Sequence, residues 1–176
     1  MRLLETDLKG VHIIELDQRE DERGFFARTF CKNVFEKHGL HSEVAQCNLS
    51  HNARRGTLRG MHYQAEPFAE AKLVQCVRGS LYDVIIDLRR DSETYCQWIG
   101  VELSAANGRM LYVPEGFAHG FQTLEDDTAV YYQMFQFYAP HFARGVRWDD
   151  PAFGIKWPIK SPIISDKDRH LPDYVR

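Results

Sequence analysis

Lys72-Leu-Val-Gln-Cys-Val-Arg78-Gly-Ser-Leu81-Tyr-Asp-Val-Ile-Ile-Asp-Leu88 is the stretch on which the fold turns. Two apolar runs of strand length flank Gly79-Ser80. Two turn residues between such runs are the mark of a β-hairpin, so two antiparallel strands joined by a tight turn are expected here. Working outward, the pattern repeats. Thr57 to Gln64 precedes it, and Cys96 to Leu103, Arg109 to Val113, Gly116 to Thr123 and Thr128 to Tyr138 follow, each after a polar or glycine-containing break. Nearer the N-terminus, Val11 to Leu16, Phe25 to Phe30 and Val44 to Leu49 read as strands. Lys32 to His38, stopped by Gly39, reads as a short helix. Many short strands with little helix predict a mostly β antiparallel sandwich or barrel. The segment from Trp148 onward breaks this rhythm. Trp148-Asp-Asp-Pro151, Trp157-Pro158 and Ser165-Asp-Lys-Asp168 predict loops and a helical turn packed across one end of the barrel.

The chain has 176 residues, which suits a single domain spanning 1–176 with a real core. A net charge of −3 argues against a nucleic-acid binder, which needs a basic face. No apolar run is long enough to span a bilayer and no signal peptide precedes the first strand, so a cytoplasmic protein is expected. Cys31, Cys47, Cys76 and Cys96 form no CxxC pair, which points to reduced thiols rather than a disulfide framework or zinc knuckle.

The chemistry concentrates in Arg55-Gly-Thr-Leu-Arg59-Gly-Met-His62-Tyr-Gln64. His62 can take and return a proton near neutral pH. Arg59 is a fixed cation suited to carboxylate or phosphate. Their odd spacing would put them on opposite faces of a regular strand. Both can face one cavity only if the strand ends or bulges between them, and Gly60 is the residue that would allow it. Lys72 shares a face with Val74 and Cys76, at the mouth of an apolar wall; a lone strand lysine is more often solvated. Tyr132 and Tyr138 share a face if their strand stays regular, although aromatics are common in strands anyway. His119, in Pro114-Glu-Gly-Phe-Ala-His119-Gly-Phe121, is either a site residue or a core histidine bonded to a carbonyl. His62 and His119 with Glu66 would suffice chemically for a metal, but the His-x-His spacing of a one-strand ligand pair is absent, so no metal is expected.

Together these motifs, with Lys72-Leu-Val, Gly79-Ser-Leu-Tyr-Asp-Val-Ile-Ile-Asp-Leu88, Trp148-Asp-Asp-Pro151 and Ser165-Asp-Lys-Asp168, resemble the dTDP-4-dehydrorhamnose 3,5-epimerase family over almost the whole chain. The resemblance implies a cupin-type jelly roll with a metal-free, cofactor-free site inside the barrel. It also implies a homodimer to which the N-terminal strands within residues 1–50 contribute. The implied substrate is a nucleotide-diphosphate 4-keto-6-deoxyhexose, made for bacterial surface polysaccharides or natural-product sugars. A ketone at C4 acidifies the hydrogens on C3 and C5, so epimerisation needs a base on one ring face, an acid on the other, and a cation at the enolate oxygen. By resemblance His62 is the base, Asp168 the carboxylate that orients it, Lys72 the enolate-stabilising ammonium and Tyr132 the opposite-face acid. Arg59 matches a diphosphate ligand, His119 lies near substrate, Tyr138 stacks on the base, and Arg23, Gln46, Asn48 and Lys167 are further nucleotide contacts.

Two positions depart from the family pattern: Arg28 stands where a glutamate that reaches the pyrimidine is usual, and Ala143 where a second acid is usual. Thymine N3 carries a hydrogen and wants an acceptor, whereas cytosine N3 is an acceptor and wants a donor such as arginine. A CDP-sugar therefore stands beside a dTDP-sugar as candidate, unless Arg28 points to solvent or phosphate. Other readings are a 3,4-ketoisomerase on the same substrates, a metal-dependent cupin oxygenase, and a non-catalytic sugar-binding jelly roll.

Overall fold

The computed structural model describes residues 1–175. The chain runs through β1 (Arg2–Glu5), β2 (His12–Glu15), β3 (Arg19–Asp21), β4 (Gly24–Phe26), α1 (Lys32–Lys37), β5 (Gln46–Asn52), β6 (Thr57–Gln64) and β7 (Lys72–Arg78). It continues through β8 (Ser80–Asp87), β9 (Trp98–Ser104), β10 (Met110–Val113), β11 (Phe117–Thr123) and β12 (Thr128–Met134). β13 (Ala143–Gly145), β14 (Ile163–Ile164) and α2 (Asp166–Arg169) complete it.

Two sheets face each other. The first has the order β1-β2-β10-β7-β12-β5; the second has the order β13-β6-β11-β8-β9, with β14 added to β6. β3 and β4 form a separate two-stranded ribbon. Leu81, Ile85, Phe117 and Phe121 of the second sheet meet Val74, Leu111, Val113 and Val130 of the first in the central core. Each such side chain contributes roughly 1.5–3 kcal/mol by leaving water.

Each sheet also has its outer face covered. Phe35 of α1 packs on Ile14, Leu73, Met110 and Tyr112 outside the first sheet. Val146, Phe153, Trp157 and Tyr174 pack on Met61, Val84, Ile86 and Ala118 outside the second. Double coverage explains why β8 reads as a near-continuous apolar run rather than an alternating one. It also places Phe153, Ile155, Trp157 and Tyr174 of the C-terminal segment against the outside of the second sheet.

The β-sandwich agrees with the strand pattern, but the turn at Gly79-Ser80 does not make a hairpin. β7 pairs with β10 and β12, whereas β8 pairs with β9 and β11, so the chain changes sheets between them. Gly79 sits at φ +71, and a Cβ there would lie 2.6 Å from Thr128 Oγ1. The carbonyl of Ser80 accepts from Leu124 N, at 2.9 Å, instead of closing a turn. Several strand boundaries also shift, among them that of the strand expected over Val44 to Leu49, which runs Gln46–Asn52. The strand expected over Phe25 to Phe30 stops at Phe26, the one expected from Cys96 begins at Trp98, and the one expected to reach Tyr138 stops at Met134. Beyond Met134 the backbone is held by side chains, with Gln46 Oε1 accepting from Tyr138 N at 3.0 Å and Gln64 Oε1 from Ala139 N at 2.6 Å. Tyr138 therefore does not continue the face of Tyr132. β1, β3, β13 and β14 have no counterpart in the strand pattern of the sequence.

Candidate active site

A cavity of about 810 Å³ lies between the sheets, within the usual range for small-molecule sites. The first sheet supplies Gln46, Asn48 and Ser50 from β5, Lys72 from β7 and Tyr132 from β12. The second supplies Arg59 and His62 from β6 and His119 from β11. Asp168 and Lys167 of α2, with Tyr138, stand at its margin.

A bulge in β6 brings Arg59 and His62 onto the same side. His119 pairs with His62 and Phe121 with Arg59, so Gly60 and Met61 together oppose the single residue Gly120. The extra residue inverts side-chain parity across the break. Gly60 adopts φ +136, and a Cβ on it would lie 2.5 Å from Gly120 Cα. Only glycine satisfies both conditions.

His62 Nε2 lies 2.7 Å from Asp168 Oδ1. With the carboxylate as acceptor, Nε2 carries the hydrogen and Nδ1 keeps the basic lone pair. The other Asp168 oxygen accepts from Gly60 N at 3.3 Å, and Ser165 Oγ caps α2 by accepting from Asp168 N at 3.1 Å. Burial pushes the Asp168 carboxyl up, but the His62 hydrogen bond and charge, the Gly60 N–H and Lys167 outweigh it and hold it below the usual carboxylate value. The chain thus places an ionised carboxylate, 5% exposed, behind the imidazole.

Opposite stands Tyr132. Burial, reinforced by the negative charge of Asp83, raises its phenol well above the ordinary tyrosine value, against the pull of Arg59 and the neighbouring Ser50 hydroxyl. The phenol is therefore protonated across the physiological range. Lys72 is 5% exposed and its ammonium donates to Glu70 Oε1 at 2.8 Å. Arg59 Nε donates to Asn52 Oδ1 at 2.7 Å, which aims a guanidinium along the cavity. His119 Nε2 lies 2.6 Å from Asp83 Oδ1, yet off-line for a hydrogen bond, and its ring meets that of Tyr132 edge-on at 6.3 Å.

Ten of the twelve residues anticipated from sequence line this cavity: His62, Asp168, Tyr132, Lys72, Arg59, His119, Gln46, Asn48, Tyr138 and Lys167. Arg23 and Arg28 do not. Arg23 is exposed in the β3–β4 ribbon and pairs with Asp21, and Arg28 is exposed near Cys31. Ala143 lines the cavity beside Arg144. Sequence reasoning missed Glu70 and Asp83. Asp83 left a signal: it lies on the inward face of β8 between Leu81 and Ile85, where a carboxylate needs a partner. Among the described residues no group of three or more His, Cys, Asp or Glu converges as a metal-ligand set.

Fold and cavity together define a cupin-type β-sandwich whose interior sets an imidazole–carboxylate couple, a phenol and cations around one small-molecule site. The family model of dTDP-4-dehydrorhamnose 3,5-epimerase matches residues 5–175. The dTDP-4-dehydrorhamnose 3,5-epimerase of Shigella flexneri is 45% identical over 96% of this chain and 93% of its own length. Among solved structures, that of the Bacillus anthracis enzyme with TDP and PPi bound superposes with a TM-score of 0.95 at 46% identity, covering 98% of this chain and 99% of that one. The Legionella pneumophila enzyme in complex with dTDP-4-keto-L-rhamnose gives a TM-score of 0.90 at 34% identity, with 99% of both chains covered. This chain belongs to the dTDP-4-dehydrorhamnose 3,5-epimerase family.

Proposed function

We propose that this protein epimerises C3, C5 or both of a nucleotide-linked 4-keto-6-deoxyhexose by way of an enolate. One observation carries the reading: the His62–Asp168 couple and the Tyr132 phenol line a single cavity from opposite sheets, with Lys72 in the same lining. His62 Nδ1 takes the proton next to the ketone. Asp168 stabilises the imidazolium that results. The Lys72 ammonium meets the negative charge developing on the C4 oxygen. Tyr132 returns a proton from the other ring face; the His62 imidazolium then gives its proton to solvent and the Tyr132 phenolate takes one from it, which readies both for a second centre. Arg59 holds the diphosphate, and His119 sits beside the sugar. Gln46, Asn48, Tyr138 and Lys167 hold the nucleoside end. The setting is the cytoplasmic synthesis of deoxysugars for surface polysaccharide.

The site is completed by a second copy. The β3–β4 ribbon carries Phe25 and Phe26 at 58% and 71% exposed, and edge strand β5 carries Leu49 at 68%. Docking of these faces in a homodimer covers them and brings Arg23 and Arg28 of each ribbon to the nucleoside end of the other cavity. Calorimetry with dTDP and CDP assigns the base: tighter CDP binding gives Arg28 to cytosine, and tighter dTDP binding removes it from base recognition. A monomeric mass in solution sinks the shared site.

Incubation with dTDP- and CDP-4-keto-6-deoxyglucose in deuterated water tests the reaction. Deuterium at C3 or C5 with the ketone kept at C4 is the expected result. Migration of the ketone identifies a ketoisomerase instead, and binding without exchange identifies a sugar-binding protein.

A further inference from the structure

We infer that Asp150 is a positioning residue for the His62–Asp168 couple: it is the clasp that keeps the C-terminal strap, residues 165–174, against the barrel. This rests on the proton-abstracting role given to that couple above. α2 has only four residues and cannot hold its own shape. Its position must come from what anchors the chain on either side.

The upstream anchor is β14, which lies parallel to β6, with Ile163 N donating to Gly56 O at 2.9 Å. Downstream, Leu171 and Pro172 form part of the cavity wall. Pro172 O accepts from Arg147 N at 3.0 Å, and Arg147 Nη1 lies 2.9 Å from Asp173. The ion pair is partly open to water and weak. The next contact is not. Tyr174 N donates to Asp150 Oδ2 at 2.6 Å, and Ala152 N donates to Asp150 Oδ1 at 2.8 Å. Asp150 is 2% exposed, so its charge is satisfied by these amides in a dry site, where hydrogen bonds to an ion are strongest. The Tyr174 ring closes over the clasp, 5.4 Å from Phe153.

Asp150 is not among the residues that line the cavity. Its carboxylate joins the loop after Val146 to the strap that carries Asp168. Releasing it frees the strap downstream of α2, lets Asp168 drift from His62, and opens the Leu171–Pro172 wall.

A double-mutant cycle on the full-length protein tests this, with wild type, Asp150→Ala, Asp168→Asn and the double variant. Two readouts are taken: deuterium exchange into the keto sugar, and the imidazole NMR signals of His62 without substrate. Asp150→Ala should slow exchange about 10- to 100-fold, the scale of a small misplacement of a reacting group. Its His62 signals should move toward those of Asp168→Asn, and in the Asp168→Asn background it should add a loss of no more than about twofold. A full additional loss in that background, or His62 signals that stay as in wild type, overturns the clasp. If wild type shows no exchange at all, the proposed reaction falls and the His62 signals alone decide on the clasp. Should Asp150→Ala fail to fold, a chain ending at Pro172 removes Tyr174 with Asp150 intact and goes through the same cycle, where the same results support or overturn the clasp.

Discussion

At the scale of single residues, the two protonation partners are separable. His62 faces the cavity with its basic nitrogen while Asp168 holds the other. His62→Asn keeps a polar side chain but no base, so exchange at the carbon beside the ketone should fall by about 1,000-fold or more, with nucleotide affinity within a few-fold. Exchange at full rate in that variant removes His62 from the role. Tyr132 is held neutral by burial and by Asp83, which suits a donor. Tyr132→Phe should leave proton abstraction within about tenfold of wild type while inversion drops by about 100-fold, seen as deuterium retained without a change of configuration. Loss of both together would mean the phenol acts before the enolate forms. The residues to which these roles are proposed are legible in the sequence because polar groups stand in apolar strand pattern at His62, Lys72 and Tyr132. Asp83 is legible only by parity, since it shares the inward face of β8 with Leu81 and Ile85 inside what otherwise reads as one apolar run. Arg23 and Arg28 are exposed and lie outside the cavity lining of the single chain.

At the scale of elements, the bulge in β6 decides whether a site exists. Gly60→Ala forces a Cβ into the Gly120 backbone at a φ that L-residues rarely adopt. The cost is on the order of 3 kcal/mol, shared between strain and overpacking. Denaturant titration should show that loss, and the surviving folded protein should bind diphosphate more weakly, because Arg59 and His62 can no longer share a side. A variant as stable as wild type would mean the strand re-registers without penalty. The need for such a break is readable from the odd spacing of residues 59 and 62 with a glycine between. The link at Gly79-Ser80 is not readable. Two apolar runs around a glycine look the same whether the second strand folds back beside the first or crosses to the facing sheet; only partners far along the chain, β10 and β12 against β9 and β11, tell them apart. β14 is too short for any periodicity to register, yet it anchors the strap.

At the scale of the whole molecule, a second buried charge centre lies outside the cavity lining. Asp87 is fully buried and accepts from Arg89 at 2.9 and 2.7 Å, from Ser92 at 2.6 Å and from Thr94 at 2.7 Å. The Arg89 guanidinium in turn lies 4.4 Å from the Phe117 ring centre. Burial pushes the carboxyl up, but these bonds prevail and bring it down from 3.8 to about 2. A depressed carboxyl stabilises the fold above its unfolded value and ceases to do so as pH falls through the folded one. Asp87 should thus contribute roughly 2–3 kcal/mol at neutral pH, lost between about pH 4 and pH 2. Asp87→Asn should lower the melting temperature at pH 7 and converge on wild type near pH 2. Parallel melting curves across that range would show that Asp87 does not govern acid stability.

Asp168 is separated from His62 by 106 positions, and every strand of both sheets precedes it. Translation proceeds from the N-terminus, and chains begin folding as they emerge. A nascent chain can therefore close its sandwich on the ribosome while His62 still lacks its carboxylate. Asp168 is made after the scaffold strands, so a synthesis halted before residue 168 leaves His62 without its carboxylate partner.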